Sequence, residues 1–337
     1  MQILSGPRPL GALIALVAAV LIGLGGAPPR ETRARVIRHS LRASGGAPQT
    51  GPFAVGIRAI TFVDRSRTIR FPGHTPQPRS LTTVIRYPAL GSAAGVDLPG
   101  AAPARTAGPF PLVIFGHGFA VTPAPYARLL EAWASAGYVV AAPIFPLGNA
   151  HAPGGPNESD ILNQPRDMSF VISQMLALSA KPGGGLFSQL IAPGEIAVSG
   201  QSDGAETALL TAYNTQFIDR RVGAAVILSG AEIPGIGGYS FPAPSPPLLA
   251  AQGTADPLNP AHFTYAFYNQ APRPKFLLTL PGASHLPPYT TEEPQLSFVE
   301  RVTIDFLNRF LKRTPGALPA MRSAGNVRGV AALRAQP

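Results

Sequence analysis

Between residues 111 and 312 short, continuously apolar segments alternate with segments of helical period. The apolar runs are 111–116 (PLVIFG), 138–143 (YVVAAP), 195–199 (EIAVS), 222–229 (VGAAVILS), 247–252 (PLLAAQ) and 276–280 (FLLTL). The helical segments are 124–136, 165–180, 203–214, about 260–269 and about 292–312. In the first of them Tyr126, Leu129, Leu130 and Trp133 fall on one face. Strands that are apolar on both faces and separated by helices must be covered from both sides, which predicts a mostly parallel sheet with helices on each face. Ahead of this block, 57–63 (IRAITFV), 67–71 (RTIRF) and 81–87 (LTTVIRY) read as strands without intervening helices, so the N-terminal edge should be antiparallel. The expected fold class is therefore α/β.

The flanks read differently. Residues 10–27 carry no charge and follow Arg8, the pattern of an export signal or an N-terminal membrane anchor within 1–27. Five arginines follow that segment and one precedes it, which runs against simple export, since positive charge tends to stay on the cytoplasmic side. The expectation is nonetheless a secreted or cell-envelope-associated protein, with the N-terminal segment as the means of association. Residues 28–50 read as a Pro/Arg-rich linker, 51–312 as one folded domain, and 313–337 as a basic flexible tail rich in Ala, Gly and Arg.

The net charge of +10 does not indicate a nucleic-acid partner. Eleven of the 27 basic residues lie before residue 43 or after residue 311, and the 16 between are matched by 16 acids. No basic stripe remains to follow a phosphate backbone. The chain has no cysteine, which excludes disulfides, thiolate zinc sites and a cysteine nucleophile. Neither a cofactor nor a metal is expected.

The chemistry centres on Gly200-Gln201-Ser202-Asp203-Gly204, a G-x-S-x-G motif between a strand and a helix. That context is what the motif needs, because a sharp strand-to-helix turn lifts the serine hydroxyl above the sheet edge. A serine hydroxyl is a weak nucleophile at neutral pH and needs a base. Of the six histidines, His285 alone stands late in the chain beyond the end of a strand; His39, His74, His151 and His262 lie in a linker, turns or a helix start. Asp256, in the turn after 247–252, is the expected carboxylate that orients His285, with Glu232 after 222–229 as the alternative acid. The developing oxyanion would be met by the backbone N–H groups of Asp203 and Phe119, and His117 is read as a packing residue beside the site.

These stretches resemble a known family. VDRSRTIRF, PRSLTTVIRYPA, VIFGHGFAVTPAPYARLLEAWASAGYVVAAP, DILNQPRDMSFVISQML, GQSDGAE, GTADPL and GASH are similar to α/β-hydrolases. The resemblance covers about residues 55–312 and points to the branch with platelet-activating-factor acetylhydrolases, dienelactone-hydrolase-like proteins and cutinase-like polyester hydrolases. It implies cleavage of a carboxylic ester (lipid, small molecule or polymer) through an acyl-enzyme, without a cofactor. The alternatives are acyl transfer by the same triad and an inactive hydrolase fold used for binding. Asp203 departs from the pattern, since many relatives carry an apolar residue there. A carboxylate in that place repels a transition-state anion unless it points away or is paired. Only about 17 residues separate 222–229 from 247–252, too few for a large lid domain, so an open cleft is expected.

Overall fold

The structure is a computed structural model that describes residues 52–233, 235–236, 239 and 241–337. The expected signal or anchor and the whole of the 28–50 linker lie outside the described residues. Among the described residues no helix is long and apolar enough to cross a membrane.

Among the described residues ten strands form one sheet in the order β10-β9-β8-β7-β6-β4-β5-β2-β1-β3. They are β1 (Phe53–Ile69), β2 (Gln77–Ser92), β3 (Asp97–Pro99), β4 (Phe110–Gly116), β5 (Val139–Pro143), β6 (Ile191–Gln201), β7 (Ala224–Leu228), β8 (Leu248–Gly253), β9 (Lys275–Leu280) and β10 (Ala332–Gln336). The six strands from β5 to β9 across the middle run parallel. β1 and β2 form an antiparallel hairpin that joins the parallel block through β5. This is the α/β-hydrolase fold.

Helices α1 (Ala127–Ser135), α2 (Gln164–Ala180), α3 (Asp203–Tyr213), α4 (Ala261–Gln270), α5 (Gln295–Phe310) and α6 (Ala317–Ala324) cover the two faces. Alternate side chains of β4 serve opposite faces, as the strand period of two requires. Leu112 and Ile114 pack with Met168 and Ile172 of α2 and Leu209 of α3. Val113 and Phe115 pack with Leu130 and Trp133 of α1 and Phe306 of α5. Trp133 donates its indole N–H to Thr303 Oγ1 at 2.8 Å, so the α1–α5 layer leaves no buried indole donor unpaired.

Two expectations change. The segments 57–63 and 67–71 are one strand, β1, with an irregularity between Asp64 and Thr68. There Asp64 accepts from Ser66 N at 2.9 Å and from Arg67 Nε at 2.6 Å, a local turn that imitates a strand break in the sequence. Residues 313–337, read as a flexible tail, instead form α6 and β10, the latter antiparallel to β9. Met321 is fully buried and anchors the helix. β10 needs little apolar side chain, because its hold on β9 is backbone hydrogen bonding. Arg322, Arg328 and Arg334 remain exposed. The connection from β7 to β8 contains no helix among its described residues.

Candidate active site

β4 is followed in sequence by β5 on one side of it and then by β6 on the other. Strand order reverses at this pair, and the reversal opens a crevice at the carboxyl ends of the strands. Gly116 and Gly200 face each other across it in register. Ser202 caps β6 at the opening of α3 with φ 55° and ψ −126°. A non-glycine residue held there costs roughly 1–3 kcal/mol of backbone strain, a cost that clusters at functional sites. The flanking glycines permit the turn. A β-carbon on Gly200 would lie 2.1 Å from Gly204 O, and one on Gly204 would lie 2.0 Å from Gly116 O.

The loops after β8 and β9 are tied together by backbone. Thr254 N donates to Leu280 O at 3.0 Å, Ala255 N to Ala283 O at 3.0 Å, and Gly282 N to Thr254 Oγ1 at 2.8 Å. This stitching brings His285 Nδ1 to 2.7 Å from Asp256 Oδ2. The other oxygen of Asp256 accepts from the N–H groups of Leu258 and Asn259, each at 2.9 Å. Burial alone would raise the Asp256 pKa, but the His285 bond and charge and the two turn amides outweigh it, so the carboxyl sits below its ordinary value. With Asp256 ionised, His285 donates from Nδ1 and keeps its lone pair at Nε2.

Nε2 of His285 faces Gln201, the residue preceding Ser202. Gln201 Nε2 lies 3.2 Å from it and 3.1 Å from His285 O. Gln201 Oε1 accepts from Tyr126 OH at 2.7 Å, and Tyr126 OH accepts from Gly118 N at 3.3 Å. One chain of hydrogen bonds thus runs from the loop after β4, through the residue beside Ser202, to His285 and Asp256. The Ser202 hydroxyl is half-buried and takes no hydrogen-bond partner among the described residues.

His117 is buried with both ring nitrogens engaged. Nε2 accepts from Phe145 N at 3.0 Å, so Nδ1 carries the proton that reaches Gly118 O at 2.8 Å. Burial pulls its pKa down to about 4, and the bond to Gly118 O opposes this only in part. His117 is a neutral strut between the loops after β4 and β5. Phe119 stands next in that loop, and neither its N–H nor that of Asp203 is bonded to another backbone carbonyl among the described residues. Glu232, the alternative acid, is partnered by Gln270 at 3.3 Å instead of by His285.

Asp203 is the unusual member. It is 8% exposed, and its Oδ2 has no partner among the described residues. Burial, then the charge of Glu158, push its pKa up to about 7, with only its own backbone N–H pulling the other way. Glu206, one turn further along α3, is pushed well above its ordinary value, first by burial and then by Asp203.

Gln201 and Tyr126 were not among the residues the sequence singled out for the site. Gln201 sits inside the motif, at a position the motif leaves open, and nothing in the sequence links it to Tyr126 75 residues earlier. Among the described residues no cluster of His, Asp and Glu could hold a metal ion.

The fold and this rim of loops define an α/β-hydrolase-type protein. Residues 100–228 match the Chlorophyllase family model, a family of α/β-hydrolase-like serine esterases. The match spans Phe119, Ser202 and Asp203 and stops short of Glu232, Asp256 and His285. It supports an ester hydrolase of the α/β-hydrolase type. No curated protein matches the chain.

Proposed function

We propose that this chain is a serine hydrolase that cleaves a carboxylic ester through an acyl-enzyme, with Ser202 as nucleophile, His285 as general base and Asp256 as the residue that orients His285. The reading rests on one observation above the others. His285 is held through Nδ1 by a multiply hydrogen-bonded carboxylate, and its Nε2 is turned toward the strained turn that carries Ser202. In that state Nε2 is the basic nitrogen, and the Ser202 hydroxyl, which has no hydrogen-bond partner among the described residues, is free to turn to it.

In the proposed cycle Nε2 takes the hydroxyl proton as Oγ attacks the ester carbonyl. Asp256 stabilises the imidazolium without itself taking the proton. The N–H groups of Phe119 and Asp203 receive the oxyanion. The imidazolium then protonates the departing alcohol, and water repeats the sequence to release the acid. Gln201 must yield Nε2 during this cycle. Its second bond, to His285 O, holds the histidine loop while the ring nitrogen exchanges partners.

The test is labelling of the full chain by a fluorophosphonate, followed by peptide mapping. Adduct formation on Ser202, abolished in Ser202→Ala, is expected. Absence of labelling while p-nitrophenyl esters are also left intact would sink the reading.

A further inference from the structure

Three carboxylates interact electrostatically beside the strained turn. Asp203 follows Ser202 directly, and Glu206 lies one turn along the same helix, on the same side. Glu158, from the turn after the β5 loop, acts electrostatically on both. Among the described residues no Lys, Arg or His forms an ion pair with any of the three. Their polar support is thin: Asn259 Nδ2 reaches Glu206 Oε1 at 3.5 Å, and the buried Oδ2 of Asp203 has no hydrogen-bond partner among the described residues. The start of α3 favours negative charge, but that effect is spent within one turn and gives Oδ2 no donor. Elsewhere the protein does pair its buried acids. Arg79 binds both Asp160 and Asp167 within 2.9 Å, so the bare state of Asp203 is local to this site.

Exposure falls along the group, from an exposed Glu158 through a half-buried Glu206 to a buried Asp203. The same residues gather no set that could hold a metal ion. An organic cation, which asks for charge and a few acceptors but no fixed coordination shell, fits what is present.

We propose that Asp203, Glu206 and Glu158 form a subsite for an ammonium group carried by the substrate near its scissile ester bond. This rests on the ester-hydrolase reading and narrows it to cationic esters. The subsite also resolves the conflict that Asp203 creates. An ionised carboxylate beside the oxyanion donors opposes the developing negative charge, and an ammonium bound against it cancels that opposition. The gain belongs to the transition state as well as to binding, so it appears in kcat/KM.

The test compares charged esters with uncharged isosteres on the full chain. Acetylcholine is set against its tert-butyl analogue, which places the cation on the alcohol side. The p-nitrophenyl ester of trimethylammoniobutyrate is set against its tert-butyl analogue, which places it on the acyl side. In at least one pair the charged ester should be favoured about 10- to 100-fold in kcat/KM, the scale of a partly desolvated charge contact. The ratio should fall to below about threefold in both Asp203→Asn and Glu206→Gln, each checked for folding by circular dichroism. Two variants guard against the failure of either to fold. Hydrolysis of both members of each pair at equal kcat/KM overturns the subsite and leaves the esterase reading standing. A preference that survives both substitutions assigns the cation elsewhere and overturns it too. Failure to hydrolyse any of the four esters, with no labelling of Ser202, removes the esterase reading and the subsite with it.

Discussion

Two buried aspartates stand at the same rim of the sheet, and the protein treats them in opposite ways. Both are nearly closed to solvent, Asp256 at 5% and Asp203 at 8% exposed, and Asp203 is the more deeply enclosed by protein. Asp256 is met by His285 and two turn amides, with Gln252 Nε2 at 3.3 Å as a weaker fourth donor. Asp203 has no partner at Oδ2 among the described residues and has two further carboxylates for electrostatic neighbours. The first arrangement fixes a charge so that a neighbouring ring can be oriented. The second leaves a buried acid without a countercharge, and burial, then Glu158, push its pKa up to about 7. A buried, unpaired carboxylate is costly in any fold. Its cost makes sense where a ligand supplies the missing partner.

The sharpest contrast should appear in catalysis. Asp256→Asn keeps the shape of the side chain but removes the charge, and it turns an amide toward the Nδ1 proton. We expect kcat on a neutral p-nitrophenyl ester to fall by about 10³- to 10⁴-fold, by analogy with the same change in serine proteases. Asp203→Asn should change that rate far less, because the proposed contribution of residue 203 to a neutral ester is its backbone N–H. If Glu232→Gln produced the large loss and Asp256→Asn did not, the orienting acid would move to Glu232.

Much of this geometry is visible in the sequence, for definite reasons. The parallel strands announce themselves because a strand buried on both faces has to be apolar throughout, as in Phe110–Gly116. The strand–turn–helix around Ser202 is legible because its glycines have no substitute: a β-carbon at Gly204 would run into the backbone of Gly116. Asp256 and His285 can be placed after the last two parallel strands, but their 2.7 Å contact depends on loop-to-loop amide bonds that carry no side-chain signature. For the same reason β10 was hidden, since strand addition by backbone hydrogen bonds leaves Ala332–Gln336 free to be small and basic. The bareness of Asp203 was equally out of reach. The residue type is plain in the sequence, whereas the lack of a partner belongs to three-dimensional surroundings.

Asn259 links the two aspartates and offers a smaller test. Its backbone N–H serves Asp256, while its side-chain amide reaches Ser229 O at 2.7 Å and Glu206 Oε1 at 3.5 Å. Asn259→Ala therefore spares the backbone support of Asp256 and removes the side-chain donor that reaches Glu206. It also strips a donor from a buried carbonyl, which should cost about 1–2 kcal/mol in urea unfolding. Esterase activity on neutral substrates should stay within a few-fold of wild type. A loss as large as that of Asp256→Asn would show that the two acid sites are one mechanical unit.

The smallest expected effect separates the two aspartates by the sign of their pH dependence. The folded pKa of Asp203 is about 7 against an ordinary 3.8, through burial and then Glu158, with Glu206 and the Tyr126 phenol also facing it. Between those values the unfolded chain has released this proton and the folded chain has kept it. The contribution of Asp203 is thus fully favourable below about pH 4 and is lost as pH rises through about 7. Asp256 has its pKa depressed, so its contribution is present above the ordinary carboxylate range and is lost as pH falls through its lowered folded value. Thermal unfolding of wild type, Asp203→Asn and Asp256→Asn near pH 8 and near pH 4 reads both. Asp203→Asn should raise Tm near pH 8, on the order of 2–4 °C, with the advantage shrinking toward pH 4. Asp256→Asn should lower Tm near pH 8, with the deficit narrowing as the solution is made more acid. A Tm for Asp203→Asn that tracked wild type at both pH values would mean that residue 203 already has a partner for its charge, and the contrast between the two aspartates would be lost.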